Sequence, residues 1–203
     1  MHRLIFFGII FLHGCGNESI TTGPNLIYVF PDEFRVQAMG FMKEDPVYTP
    51  NLDQFANEGI YFSNAVSNRP LCSPYRGMLM TGRWPWSTGL WKNCASINPG
   101  IALKKEEKCI SDVLSENGYD CGYIGKWHLD EPKEGDIRFY ETRPDSSLWD
   151  AFVPVARRHG FNFWYSYNCC DQHTSPHYWI NDAPKDGEKV FNEYSPEHEA
   201  NVA

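Results

Sequence analysis

Residues 72–76 read Cys-Ser-Pro-Tyr-Arg, and this short segment restricts the fold more than any other part of the chain. Proline is favoured at the first position of a helix, where its missing N–H group is not needed, so Pro74 predicts a short helix that stops near Gly82. Cys72 then lies at a helix N-terminus, where unpaired N–H groups and the helix dipole favour an anion or an ionised thiol. Residues four apart share a helix face, so we expect Arg76 beside Cys72. Together the two side chains would make an anion-binding cradle that contains a nucleophile.

A second predicted element is the apolar run Leu26–Phe30, which is rich in β-forming residues and is typical of a buried parallel strand. The run is followed by Asp32 and Glu33. Carboxylates at the carboxyl end of a strand lie where open α/β sheets bind ligands. A solvated turn after a strand would carry the same residues, so both interpretations stay open at this point.

A third segment places polar side chains at the end of another predicted strand. Residues 110–117 indicate a short helix with its apolar residues on one side, and Gly118 suits its C-terminal stop. A strand near residues 121–124 follows, and Lys126 and His128 emerge at its end. A lysine or histidine in such a place is more often solvated than catalytic, so position alone assigns neither a role.

The composition is typical of a globular domain. The chain has 203 residues, 42% hydrophobic and 15% aromatic, which suffice for one domain with a real core. Its formal net charge of -8 argues against a general nucleic-acid binder. We therefore expect a small or polymeric substrate whose negative charge is met by local cations.

The N-terminus indicates export. Arg3 precedes the apolar stretch Leu4–Leu12, which is too short to span a bilayer and has the length of a signal-peptide core. The residues that follow, up to Cys15, resemble a bacterial lipobox, although His13 departs from the usual small or apolar residue. Residues 1–15 are thus predicted to be a targeting segment of a protein of the bacterial periplasm or cell envelope. Either Cys15 carries a lipid anchor or the peptide is simply cleaved.

The segment at residues 72–76 resembles the signature of the sulfatases, Cys or Ser-x-Pro-x-Arg. The motif alone could be a chance match, with a buried structural cysteine and a surface arginine. However, the flanking runs at residues 49–65 and 80–89 also resemble sulfatases in order and spacing. The run Gly-Lys-Trp-His-Leu at residues 125–129 matches a second sulfatase signature. The resemblance covers most of residues 24–203.

The resemblance implies an unusual nucleophile and a metal. Cys72 would be oxidised to formylglycine by a formylglycine-generating or anaerobic sulfatase-maturating enzyme. Asp32 matches the first of two adjacent metal ligands, Glu33 stands where the family usually has Asp or Gln, and residue 72 would be a further ligand of Ca²⁺ or Mg²⁺. The remaining catalytic residues would be Arg76, Lys126 and His128.

The implied fold is an α/β domain with a largely parallel central sheet flanked by helices, similar to the alkaline-phosphatase-like architecture of sulfatases. We expect it to be truncated at the C-terminus, because residues 195–199 begin a helix and the chain stops at Ala203. In the family the later portion supplies an Asp-Asn pair for the metal, plus a His and a Lys that bind sulfate. None of these can be placed in this chain.

The implied activity is hydrolysis of a sulfate ester in a small molecule or a glycan. Two alternatives stay open: a phosphate or phosphonate ester hydrolase of the same superfamily, and an inactive truncated remnant that binds anions or glycans. Residues 168–178 are polar and aromatic, and His173 and His177 within them are either substrate contacts or ordinary core or surface histidines.

The cysteines leave the pairing open. Of seven in the chain, Cys15 and Cys72 have predicted modifications, which leaves five, an odd number. The sequence does not assign disulfides among them.

Overall fold

The structure is a computed structural model that describes residues 23–133, 148–170 and 172–203. The predicted targeting segment, with Cys15, lies outside the described residues. The chain divides into two compact units, residues 1–54 and residues 55–203.

The described part of the first unit, from residue 23 onward, is built from turns and short helices. It contains the 3-10 helices Val36–Ala38 and Gly40–Met42, and helix α1 (Pro50–Glu58) begins in it. Thr49 connects the last two elements, since its hydroxyl accepts the N–H of Gly40 at 2.7 Å and donates to Asp53 at 2.8 Å. A Cβ at Gly40 would lie 2.8 Å from that hydroxyl, so glycine is needed for this close approach.

The prediction of a buried strand at Leu26–Phe30 is wrong. The segment is not part of a sheet, and Ile27 and Val29 are 88% and 81% exposed. A run of β-forming residues becomes a strand only where a neighbour completes its backbone hydrogen bonds. Among the described residues, no strand pairs with this run.

The second unit contains a four-stranded sheet in the order β1-β2-β3-β4. Its strands are β1 (Gly122–Lys126), β2 (Phe163–Tyr167), β3 (His177–Ile180) and β4 (Lys189–Val190). The β1–β2 pair is parallel and places Lys126 opposite Tyr167, whereas the β2–β3 and β3–β4 pairs are antiparallel. The sheet in this chain is therefore mixed. A short connection such as that between β2 and β3 can join antiparallel neighbours, whereas a parallel pair needs a long crossover.

The helices that begin in the described part of the second unit include the predicted one at the Cys-x-Pro-x-Arg segment. They are α2 (Cys72–Thr81), α3 (Pro85–Thr88), α4 (Ile110–Glu116) and α5 (Ser195–Val202), with a 3-10 turn at Val155–Arg157. Helix α2 ends at Gly82, which has a φ of 65° as expected of a left-handed C-cap. Pro74 is its third residue, not its first, and this is tolerated because the N–H groups of a helix's opening turn have no intrahelical acceptor.

The core contains many aromatic residues and lies on both faces of the sheet. One cluster packs Tyr123 and Trp127 of the β1 region against Trp164 of β2, with ring centroids 5.0 to 5.4 Å apart. The other contains Tyr165 and Tyr167, which point to the opposite side of β2 because strand residues alternate.

Two further features bear on the predictions. Within the described part of the chain, no helix has the length and apolarity needed to cross a membrane. The six described cysteines, all those after Cys15, are free thiols.

Candidate active site

Cys72 is the first residue of α2 and is half-buried. Fewer backbone N–H groups are unpaired at the N-terminus of α2 than the sequence predicts. Pro74 has no N–H, and the N–H of Ser73 donates to Oδ1 of Asn93 at 3.1 Å. Positive charge at Cys72 therefore comes mainly from side chains and not from helix amides.

Lys126 supplies that charge. It is the last residue of β1, and its ammonium Nζ lies 3.6 Å from Sγ of Cys72. In a modified enzyme, Sγ would be replaced by the oxygens of the hydrated aldehyde. The ammonium thus lies beside the atoms at which chemistry is predicted.

Arg76 lies one turn along α2 from Cys72, as expected, but its guanidinium is buried, with 3% of the residue exposed. Nη1 donates to the hydroxyl of Tyr123 at 3.1 Å and to the backbone carbonyl of Lys126. The Tyr123 hydroxyl donates to the same carbonyl. Arg76 therefore ties α2 to the end of β1 and helps to orient Lys126.

His128 follows two residues later and is fully buried, with a φ of 53°. Its Nε2 lies 3.1 Å from the carbonyl oxygen of Cys94. Since a carbonyl only accepts hydrogen bonds, Nε2 carries a proton and Nδ1 is the proton-accepting atom of the neutral ring. Ser73 joins this turn to α2, because its hydroxyl donates to the His128 carbonyl at 2.7 Å and accepts the Cys94 N–H at 2.9 Å.

A buried asparagine, Asn168, holds the turn from the other side. The amide of Asn168 accepts the N–H of Asp130 at 3.2 Å and donates to the carbonyl oxygens of Asp130 at 2.9 Å and Trp149 at 3.1 Å. The Trp149 ring packs 5.6 Å from the His128 ring. No sequence pattern marks Asn168, because its partners are distant in the chain.

The carboxylate of Asp130 completes this support. It accepts from the indole of Trp127 at 3.1 Å and forms an ion pair with Arg157. Burial raises the pKa of Asp130, and the Arg157 guanidinium offsets part of that rise. The turn between Lys126 and Asp130 is thus fixed by polar contacts from three other segments.

His173 and His177, whose roles the sequence leaves undecided, lie in different environments. His177 is buried, with Nε2 2.6 Å from Oδ2 of Asp150. Burial alone would lower its pKa, but hydrogen bonds to Asp150 and Cys170 outweigh it and raise the pKa to about 10. His177 is therefore a charged core histidine. His173 is exposed and borders, with His177 and Tyr167, a small depression at the carboxyl end of β2.

The predicted metal ligands are in the first unit. Asp32 and Glu33 form an exposed turn, in which Glu33 has a φ of 54°. Their carboxylate oxygens suit Ca²⁺ or Mg²⁺, but Ca²⁺ takes 6–8 oxygen ligands, so this pair could supply only part of a coordination shell. Of the residues predicted in the second unit, Lys126 approaches Cys72, Arg76 bonds to the Lys126 carbonyl, and His128 is joined to α2 through its own backbone carbonyl.

A separate group, Cys109, Asp112 and His159, has potential ligand atoms within 4.8 Å of one another. The group has a structural explanation. Asp112 accepts the N–H of Cys109 at 2.8 Å in a capping box at the start of α4, and His159 lies 3.4 Å from the same carboxylate. Burial, together with Asp112, raises the pKa of the Cys109 thiol to about 12, which opposes the thiolate that a metal would need.

The chain is similar in sequence to known proteins over a range that includes these segments. A family model described as Sulfatase matches residues 24–193. An endo-4-O-sulfatase from Bacteroides thetaiotaomicron is 47% identical over 193 residues, with 87% of this chain and 37% of the relative covered. An ulvan-active sulfatase from Formosa agariphila is 34% identical over 175 residues, with 86% of this chain and 30% of the relative covered.

Solved structures of similar proteins have the same fold as this chain. The yidJ protein of Bacteroides fragilis superposes with a TM-score of 0.81 at 43% identity, covering 84% of this chain and 37% of that protein. A Bacteroides thetaiotaomicron structure from work on glycosaminoglycan metabolism gives a TM-score of 0.79 at 45% identity, covering 88% and 39%. The predicted fold class is confirmed, and the chain spans about a third of the length of the curated relatives it matches.

Proposed function

Because the chain belongs to the sulfatase family, we propose that the protein hydrolyses sulfate esters at residue 72. The observation that carries the proposal is the 3.6 Å approach of the Lys126 ammonium to Cys72 Sγ at the start of α2. Each of these residues comes from one of the two signature segments, and the fold brings the segments together.

Sulfatases generally use formylglycine and a divalent metal. A formylglycine at position 72 would supply, when hydrated, one hydroxyl that attacks sulfur, and the ester S–O bond would break so that the alcohol leaves with a proton. Deprotonation of the second hydroxyl would then break the C–O bond to the transferred sulfate, release sulfate and restore the aldehyde. A plain serine would remain trapped as a stable sulfate ester. Ca²⁺, or alternatively Mg²⁺, bound by Asp32 with Glu33 and residue 72 would polarise the sulfate oxygens.

The residues of this chain have distinct parts in that reaction. Lys126 places a fixed positive charge beside residue 72, where it stabilises charge that develops on the sulfate. Arg76 adds positive charge and holds the Lys126 carbonyl, so that the lysine is preorganised. His128 accepts the proton of the second hydroxyl at Nδ1, since Nε2 is already occupied by the Cys94 carbonyl.

The substrate that we propose is a sulfated glycan. Two relatives support this class, since one is named for endo-4-O-sulfatase activity and the other for activity on ulvan. We also propose export to the periplasm or cell envelope, with Cys15 as a lipid attachment site and a formylglycine-generating or anaerobic maturating enzyme as a partner. These proposals rest on the sequence patterns alone.

The test uses the full-length protein co-expressed with a maturating enzyme. Release of sulfate from an aryl sulfate and a sulfated disaccharide is measured, with the matching phosphate esters in parallel. Cys72→Ala should abolish sulfate release, whereas the matched thiol variant Cys121→Ala should retain it. Mass spectrometry of the peptide that contains residue 72 reports the aldehyde. Turnover that survives Cys72→Ala, or a preference for phosphate esters, would refute the proposal.

A further inference from the structure

We propose that a surface formed by Trp86, Trp91, Lys92 and Arg69, here called the tryptophan platform, binds an anionic sugar residue of the substrate chain. The proposal rests on the proposed function for the identity of that chain as a sulfated glycan. It adds a binding site that lies outside the residues assigned to catalysis. The ligand class follows from the chemistry of the platform.

The aromatic part is exposed and ordered by stacking. Trp86 of α3 is 79% exposed, yet its ring is stacked on Trp91 with centroids 5.7 Å apart and planes 9° from parallel. At this exposure, the stack covers only part of the Trp86 ring, and most of the ring remains open to solvent. A large apolar ring in water is unfavourable, and exposed aromatic surface of this kind marks binding sites. Because Trp91 already holds the ring, little side-chain entropy is lost when a ligand binds.

The polar part is cationic. Lys92 places its ammonium 4.5 Å from the Trp91 ring centroid, and Arg69 donates from Nε to the Trp91 carbonyl at 3.3 Å. Both cations are exposed in a chain whose formal net charge is -8. Local positive charge on an acidic protein selects an anionic ligand.

These two parts fit a charged sugar better than other small anions. The C–H face of a sugar ring is apolar and stacks on an indole, while its sulfate or carboxylate groups pair with lysine and arginine. An inorganic anion would use the cations but not the ring, and an uncharged sugar would use the ring but not the cations.

The platform lies beside the nucleophile. The segment Trp91–Cys94 and the segment Arg69–Ser73 are joined by three hydrogen bonds: Arg69 to the Trp91 carbonyl, the Ser73 N–H to Asn93, and the Cys94 N–H to the Ser73 hydroxyl. Cys72 is part of the second segment. Trp86 is stacked on Trp91, so a polymer whose sulfate is at residue 72 could extend along these segments towards the platform.

Binding is measured directly so that the outcome does not depend on turnover. The full-length Cys72→Ala protein is titrated calorimetrically with a 4-O-sulfated glycosaminoglycan hexasaccharide. Trp86→Ala in this background should weaken binding at least about fivefold, the low end for loss of one aromatic stacking contact. Lys92→Gln should weaken it by about two- to fivefold at low salt and by less at high salt, because exposed charges are screened.

Trp84→Ala is the matched control. Trp84 is 68% exposed and lies two residues before Trp86, but it is not part of the stack, so its removal should leave affinity unchanged. Wild-type affinity in Trp86→Ala, or an equal loss in Trp84→Ala, would overturn the platform. If the wild-type protein released no sulfate but hexasaccharide binding still depended on Trp86, the proposed activity would fail and the platform would stand. If the wild-type protein released sulfate but hexasaccharide binding did not depend on Trp86, the proposed activity would stand and the platform would be refuted.

Discussion

The two regions that carry the predicted site residues are held in opposite ways, each within its own unit. On the nucleophile side, the turn that carries Lys126, His128 and Asp130 has its backbone bound by side chains from α2, β1 and the end of β2. On the metal side, Asp32 and Glu33 are exposed in a turn of the first unit. The contrast implies that changes on the nucleophile side should reduce stability as well as function. Changes on the metal side should affect function alone.

Removal of the Asn168 amide should have the largest effect on stability. Asn168→Leu keeps the volume but leaves the N–H and carbonyl groups of Asp130 without their buried partner, and it removes the hydrogen bond to the Trp149 carbonyl. Each buried unpaired group costs about 1–3 kcal/mol, so we expect the free energy of unfolding to fall by about 3–5 kcal/mol in urea titrations. The matched control is Asn162→Leu, since Asn162 bonds to Asp120 at the surface and should cost less than about 1 kcal/mol. Equal losses in the two variants would contradict the role assigned to Asn168.

His177 should contribute stability that depends on pH. Its pKa of about 10 lies above its ordinary value of 6.5, so the charged pair with Asp150 stabilises the fold fully below about pH 6.5. The contribution is lost as pH rises towards 10. His177→Gln should therefore cost about 3 kcal/mol at pH 6, the low end for breaking a buried ion pair, and progressively less at higher pH. His173→Gln is the control, because His173 is exposed. A deficit in His177→Gln that stayed constant from pH 6 to pH 10 would show that the pair is not charged.

These two residues also show what sequence can predict. Local rules found helix α2 with Cys72 at its start, its end at Gly82, and Lys126 at the end of a strand, because caps and periodicity act over a few residues. Asn168 and His177 were not assigned, since their roles depend on partners far away in the chain. Pattern also misassigned the run Leu26–Phe30, because strand formation requires a neighbouring strand that local sequence does not report.

A substitution at Gly77 would show how closely α2, which carries Cys72, must pack against its neighbours. A Cβ at Gly77 would clash with Cδ1 of Leu90, so Gly77→Ala should cost about 1–3 kcal/mol of unfolding free energy through overpacking. If the clash is the cause, Leu90→Ala in the Gly77→Ala background should cost less than Leu90→Ala alone. A double-mutant cycle measures this coupling, and additive losses would mean that the helix can shift without strain.

The smallest change in stability should come from substitutions of Asp32 and Glu33. These variants contrast most strongly with Asn168→Leu, because we expect them to reduce activity but not stability. Asp32→Asn and Glu33→Gln alter exposed side chains, so each should change the free energy of unfolding by no more than about 0.5 kcal/mol. In the full-length protein both should lower sulfate release, and added Ca²⁺ should restore part of it, because a weakened oxygen site fills at higher metal concentration. Glu44→Gln provides an exposed carboxylate control in the same unit, with no expected effect on either measurement. Loss of stability in Asp32→Asn comparable to that in Asn168→Leu would remove the distinction between the two sides. Unchanged activity in Asp32→Asn would remove the assignment of this turn to the metal.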